Sequence, residues 1–173
     1  MNLRLISLRL RNFKGQRDFL FEPNGKNASV FGDNGTGKTT LMDAFSWLLF
    51  DKDSTGKKDF AIKTLDENNN VMHGLEHEVE GLLEVDGKRI KLRKVYYEKW
   101  TKKRGSTQKE FTGHTTDYFI DDVPMKKGEY DDEVAKIADE EIFKLLTNPT
   151  YFNEQVDWKK RRELLLEVCG DLT

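Results

Sequence analysis

Apolar residues recur along this chain with two different periods, and the changes of period mark out its elements. Leucines at 3, 5, 8 and 10, separated by Arg4 and Arg9, predict a strand over 3–10, and residues 17–21 predict a second. The turn residues Asn12-Phe13-Lys14-Gly15 join them. Pro23-Asn24-Gly25 then turns the chain into Ala28-Ser29-Val30-Phe31, a short apolar run that suits a buried strand. Leu41, Ala44, Phe45, Leu48 and Leu49 fall at helical spacing, so a helix is expected over 38–50. Residues 51–70 are polar and read as loop, with Phe60-Ala61-Ile62 as a short strand candidate. Two alternating runs, 78–85 and 88–97, flank Asp86-Gly87, the dipeptide of a type I′ turn, and predict a hairpin. Residues 99–113 read as a polar loop and Tyr118-Phe119-Ile120 as a further strand. Tyr130, Val134, Ile137, Ala138, Ile142, Leu145 and Leu146 keep a 3.6-residue period, which predicts one acidic amphipathic helix ended by Pro149. Asp157 is placed to cap a last helix carrying Trp158, Leu165 and Val168, with Gly170 as its stop.

Between the apolar run at 28–31 and the helix lies Gly32-Asp33-Asn34-Gly35-Thr36-Gly37-Lys38-Thr39-Thr40, a complete G-x-x-x-x-G-K-[ST] phosphate loop. Its glycines allow a tight turn that aims successive N–H groups at a phosphate, at the positive end of the helix. The cradle runs through Asn34, Gly35, Thr36, Gly37, Lys38, Thr39 and Thr40. By the motif's mechanics Lys38 reaches the β- and γ-phosphates and the Thr39 hydroxyl ligates Mg²⁺. The pattern therefore implies a bound nucleoside triphosphate, ATP with Mg²⁺ in the commonest case.

Composition narrows the setting. The chain has 173 residues, room for one domain with a real core, and its 35% charged content at net charge −2 describes a soluble protein. No stretch is apolar enough to span a membrane. Cys169 is the single cysteine, which excludes an internal disulfide and fits a reducing cytoplasm; beside leucines it reads as a small core residue. Charge is unevenly spread. Residues 88–109 hold ten Lys/Arg against Glu98, and residues 129–141 hold seven acids against Lys136. Such asymmetry bears on surfaces and partners.

A hydrolase with this loop also needs a metal-holding acid at the end of a second buried strand and a group that polarises water. Asp51 and Asp121 each follow apolar residues, but Asp51 continues directly from the phosphate-loop helix and lies a helix length from the phosphates. The Asn-Lys-x-Asp motif of guanine readers is absent. His73 and His77 are four apart, yet Gly74 and the Asn68-Asn69-Asn70 run argue against a helical metal pair, so surface histidines are expected.

Taken together, Leu8-Arg9-Leu10-Arg11-Asn12-Phe13-Lys14-Gly15, the loop at 32–40, Leu41-Met42-Asp43-Ala44 and Trp47-Leu48-Leu49-Phe50 resemble the N-terminal ATPase lobe of SMC/RecF/SbcC-type proteins. These are ABC-like ATPases of the AAA family that act in chromosome maintenance and double-strand-break repair. The closing run from Trp158 to Asp171 resembles the arginine-containing helix before the family's long coiled coil, and the nearest likeness is to phage-type relatives of the SbcC group. The resemblance implies an α/β fold: a P-loop NTPase (ABC-like) half-domain, with a mixed sheet, an antiparallel β layer and flanking helices. It implies a single N-terminal lobe over 1–173, with a phosphate-loop core at about 1–65, a hairpin region at about 76–123 and a helical end at about 129–171. The C-terminal lobe and coiled coil are not in this sequence. In the family that lobe supplies the Ser-Gly-Gly signature, the metal-site acid, the catalytic glutamate and a switch histidine, so the missing acid is expected. Turnover then needs a C-terminal lobe and a second head, as in a homodimer, and the chain alone is expected to bind ATP with little hydrolysis. Asn12 and Lys14 match positions beside the nucleotide in such proteins. The family's Q-loop glutamine, a Mg²⁺ ligand, maps less cleanly: Gln155 is the glutamine nearby, although the terminal helix places the position nearer Asn148 or Pro149.

The basic run interleaves with Tyr96, Tyr97 and Trp100, a combination that binds phosphate backbones and stacks on bases. DNA contact through Lys102, Lys103 and Arg104 is one reading; a solvated strand face, or contact with the missing lobe, is the other. The family's repair role also suggests a nuclease subunit as partner. A self-sufficient small-molecule kinase with a lid at 99–113 is the alternative function, and a phosphate loop turned purely structural or regulatory is a third.

Overall fold

The computed structural model describes residues 2–33, 37–105, 107–148 and 150–169, the side chains at 146 and 167–169 excepted. The chain divides into two compact units, Met1–Ile137 and Ala138–Thr173. In the first, β1 (Leu3–Phe13), β2 (Gln16–Phe21), β3 (His77–Val85), β4 (Lys88–Lys102), β5 (Lys109–Ile120) and β6 (Val123–Met125) form one sheet in the order β2-β1-β3-β4-β5-β6. Each neighbouring pair is antiparallel. Helix α1 (Lys38–Phe50) packs on β1, β3 and β4, and α2 (Lys127–Ile137) packs on β5 and α1.

Alternation decides which face of the sheet is covered. Leu8, Leu10 and Phe13 of β1, Val79 and Leu83 of β3 and Leu92 of β4 are buried with Ala44, Trp47, Leu48 and Leu49 of α1 and Tyr130, Val134 and Ile137 of α2. The Phe13 and Trp47 rings lie 5.5 Å apart between centroids. Gly81 completes the inward row of β3, and a Cβ there would stand 2.6 Å from Leu48 Cδ2. The opposite face is a charge ladder: Glu78 of β3 sits between Arg11 of β1 at 3.4 Å and Arg93 of β4 at 3.3 Å. The β3–β4 turn holds Asp86 at φ 48° and Gly87 at φ 83°, the paired positive angles of the expected type I′ turn.

Several expectations are corrected. The run at 28–31 forms no strand; Val30 is 42% and Phe31 89% exposed. A strand needs a neighbour to take its N–H and C=O groups, and no described strand pairs with this segment. Residues 60–62 likewise form no strand. The predicted loop at 99–113 is instead the outer half of the β4–β5 hairpin, paired from Trp100–Phe111 to Lys102–Lys109 beyond a register shift at Lys99/Trp100. Aromatic and β-branched residues at 100, 101, 111 and 112 carry the ladder outward. Lys94, one of the cations in the basic run for which the sequence leaves a solvated strand face open, is fully buried on the covered face.

The second unit contains α3 (Glu140–Thr147), α4 (Tyr151–Glu154) and α5 (Trp158–Cys169). The single acidic helix expected over 130–146 is two, because Asp139 accepts from Ile142 N at 3.0 Å and caps a new start. An aspartate side chain competes with the helical ladder for backbone N–H groups and so favours caps over helix interiors. Asp157 Oδ1 accepts from Lys159 N at 2.8 Å at the head of α5, as expected. Pro149 and Gly170 lie outside the described residues, as do the side chains of Leu146, Val168 and Cys169. Among the described residues no helix is long and apolar enough to cross a membrane.

Candidate functional site

The head of α1 is built around Gly37. Its φ of 100° is a conformation that L side chains rarely adopt, and a Cβ there would meet Gln16 Nε2 at 2.7 Å. The N-cap residue, Gly37, brings no side chain to this helix start, so it offers no side-chain acceptor to the first N–H groups. The Lys38 ammonium folds back over the loop and donates to the carbonyl oxygens of Gly32 and, at 3.0 Å, of Asp33. Thr39 is exposed and Thr40 buried in the first turn. Beside them a groove of about 170 Å³ is lined by Leu10, Gln16, Phe19, Phe31, Gly37 and Lys38, among others. Asn34, Gly35 and Thr36 lie outside the described residues.

The β1–β2 turn is brought to the same helix. Asn12, Lys14 and Gly15 adopt φ of 50°, 47° and 87°. Lys14 Nζ pairs with Asp43 one turn into α1, and Asp43 in turn accepts from Ser54 N at 2.9 Å. Lys14 N donates to Ile62 O at 2.9 Å, and its ammonium lies 5.6 Å from the centre of the Phe60 ring. Asn12 Nδ2 donates to Glu76 O at 3.1 Å, while its carbonyl accepts from Thr64 Oγ1 at 2.8 Å and His77 Nδ1 at 2.5 Å. Burial lowers the His77 pKa below the ordinary imidazole value, so at neutral pH it is a neutral donor. Far from being a surface residue, His77 is fully buried and fixes this turn. Next to the turn, a wider cleft of about 410 Å³ runs between Gly15, Arg17 and the 64–68 segment.

Gln155 is the exposed C-cap of α4 and belongs to the other unit. Both acid candidates have structural duties. Asp51, at φ 56° beyond the last turn of α1, pairs with Lys94 at 2.7 Å and with Lys127. Asp121 Oδ1 accepts from Lys91 N at 2.8 Å in the β5–β6 turn. Among the described residues no three His, Cys, Asp or Glu are grouped to hold a metal ion.

The sequence reading missed two buried charges. Lys94 donates to Trp47 O at 2.7 Å and to Asp51, and burial pushes its pKa down to about 8 although Asp51 opposes the shift. Glu98 accepts from Lys63 Nζ at 2.5 Å, His73 Nδ1 at 2.7 Å, Trp100 Nε1 at 3.1 Å and Gly74 N at 3.3 Å. Lys63 and His73 above all hold that carboxyl down to about 2. Strand alternation carried a signal for both, since 92, 94, 96 and 98 share a face with buried Leu92. Further out, Lys99, Lys102, Lys103, Arg104 and Lys109 are all exposed, and Lys103 pairs with Glu110 at 2.7 Å.

Comparison with known proteins agrees with this geometry. A family model described as "AAA domain" matches residues 7–168. The DNA replication and repair protein RecF of Clostridioides difficile (strain 630) is 25% identical over 183 aligned positions, covering 98% of this chain and 48% of that protein. RecF of Azobacteroides pseudotrichonymphae is 30% identical over 86 residues, covering 49% of this chain and 24% of the other. The chain thus spans about half the length, or less, of these relatives. Among solved structures, the recombination mediator protein RecF bound to ATP superposes with a TM-score of 0.50 at 17% identity, covering 95% of this chain and 37% of that one. The SMC head domain of Thermotoga maritima gives a TM-score of 0.46 at 22% identity, covering 75% and 41%. The fold is that of a P-loop NTPase head.

Proposed function

We propose, from the premise that this chain belongs to the AAA-domain family and within it to the SMC/RecF-type, ABC-like ATPases, that it is the ATP-binding N-terminal lobe of an ATPase acting in DNA repair or chromosome maintenance. The observation that carries this reading is the head of α1: an N-cap without a side chain, Gly37 in a left-handed turn, and the Lys38 ammonium resting on the carbonyls of Gly32 and Asp33. An ammonium held by two neutral carbonyls exchanges them for a polyanion with a gain in charge-assisted hydrogen bonding. The donor set fits a nucleoside triphosphate with its metal. Lys38 and the N–H groups at the head of α1 would hold the phosphates, and the Thr39 hydroxyl would be the protein's ligand to Mg²⁺, which would supply charge neutralisation when bound. Lys14, engaged by Asp43, keeps the β1–β2 turn beside this end of the helix.

Hydrolysis requires a C-terminal lobe and a second head. Asp51 and Asp121 are occupied elsewhere, and exposed Val30 and Phe31 support a partner that covers the segment entering the loop. The kinase alternative is weakened, because its supposed lid at 99–113 is a paired hairpin. DNA is the expected macromolecular ligand, met through Lys102, Lys103 and Arg104 at the hairpin's outer end, with a nuclease subunit as a further partner of the complete head.

Calorimetric titration of the chain with ATP is the test. Heat that depends on Mg²⁺ and falls at least tenfold in apparent affinity in Lys38→Ala is expected, from the loss of charge-assisted bonds of about 1.5–3 kcal/mol. No heat from the unaltered chain, or an unchanged Lys38→Ala, overturns ATP binding. Rapid ATP turnover by the chain alone overturns the need for a second lobe.

A further inference from the structure

The outer half of the β4–β5 hairpin is more specific than a basic patch. Trp100 and Phe111 are direct cross-strand partners, 46% and 48% exposed, with ring centroids 5.5 Å apart at 64°. The row continues inward through His114, 5.1 Å from Phe111, to Tyr96, which lies flat on His114 at 5.1 Å and 11°. Two large rings half open to water on a strand pair are costly in isolation and mark a surface that something covers. Their setting says what covers them. Within 99–110 stand five cations (Lys99, Lys102, Lys103, Arg104 and Lys109) and one acid, Glu110, a local net charge of +4. Such a field favours a polyanion over an apolar protein surface.

The rings are also braced. The Trp100 indole N–H donates to Glu98, itself held by Lys63, His73 and the amide of Gly74. A ring already fixed by its polar edge gives up little freedom when a ligand lies on its face.

We propose that this half-hairpin is a platform for single-stranded nucleic acid, with unpaired bases stacking on Trp100 and Phe111 while the strand's phosphates meet the surrounding lysines and Arg104. It rests on the nucleic-acid reading above and deepens it by naming the class of strand. In a duplex the base faces are already stacked and out of reach, whereas every unpaired base offers a π-face. Phosphate contacts are made by both forms. The discriminating property is therefore the contribution of the rings, read as a difference between the two kinds of strand.

The test is fluorescence anisotropy of the full chain with a labelled oligothymidylate of about 20 nucleotides and a duplex of about the same length. Trp100→Ala with Phe111→Ala is expected to weaken single-strand binding at least about tenfold and duplex binding by no more than about twofold. Trp100→Phe retains most of the affinity, and Trp100→Leu, which keeps apolar bulk and fold without a π-face, does not. Replacing Lys102, Lys103 and Arg104 by Glu weakens both strands. Aromatic variants that weaken both strands alike, or neither, overturn the stacking platform and leave phosphate contact standing. No binding of either strand by the unaltered chain overturns both readings.

Discussion

The two ends of helix α1 are built in opposite ways. At its C-terminus the last carbonyls are taken up by side chains from distant elements: Lys94 of β4 donates to Trp47 O at 2.7 Å and Tyr130 of α2 donates to Leu48 O at 2.9 Å. Asp51 closes the end through Lys94 and Lys127, cations placed where the helix dipole favours them. At its N-terminus the cap residue is Gly37, which has no side chain to offer and takes a conformation costly to other residues, and Lys38 rests on the carbonyls of Gly32 and Asp33. One element is thus tied down by distant side chains at one end and left to its own loop at the other.

The largest expected effect separates the two lysines. Lys94→Ala leaves Trp47 O and one oxygen of Asp51 without their buried partner and should lower unfolding free energy by about 3 kcal/mol in urea. Lys38→Ala should shift that same quantity by no more than about 0.5 kcal/mol while weakening nucleotide binding at least about tenfold. Equal losses for the two variants would break the comparison. A second test uses pH. Burial holds the Lys94 pKa at about 8, below its ordinary 10.5, so between these values the unfolded chain binds more protons. Stability should therefore rise with pH across about 8 to 9.5, by on the order of 2 kcal/mol, and this rise should be missing in Lys94→Ala; above that Tyr118 and Tyr130, whose rings face Lys94 and whose pKa values burial raises, work in the opposite direction. Lys127 does not mask it. Burial works against its charge, but Asp51 and Asp131 outweigh that and hold its pKa above the ordinary value, so its contribution is lost only at higher pH. The smallest effect sharpens the picture of the fastened end: Tyr130→Phe removes a single donor to Leu48 O and should cost about 1 kcal/mol, measured in the same way.

The sequence makes the open end far more legible than the fastened one. The phosphate loop, its helix and the Asp86-Gly87 hairpin are local patterns in which neighbouring residues suffice to specify the backbone. Lys94 is not local. It reads as one more cation in a basic strand, and only the arrival of Asp51, 43 residues earlier, makes its burial tolerable. His77 is similar, since its acceptor is the Asn12 carbonyl. The outer hairpin was hidden by composition, because its lysines resemble loop polarity while Trp100 and Phe111, eleven residues apart, reveal their pairing only in register. The run at 28–31 misleads in the other direction: its apolar residues suit a strand, but strand formation also depends on a pairing edge, which the described sheet does not offer it.

The seat of α1 on the sheet is set by a missing methyl group. Leu48 rests where a side chain at position 81 would otherwise be, 2.6 Å from the Cβ that glycine lacks, and, fully enclosed, it has nowhere to swing. Added bulk there must displace Leu48 or the helix that carries it, in a close-packed core with little room for either. A residue in mid-strand is thereby the seat on which the second half of the helix rests, and its lack of a side chain sets how close helix and sheet can come.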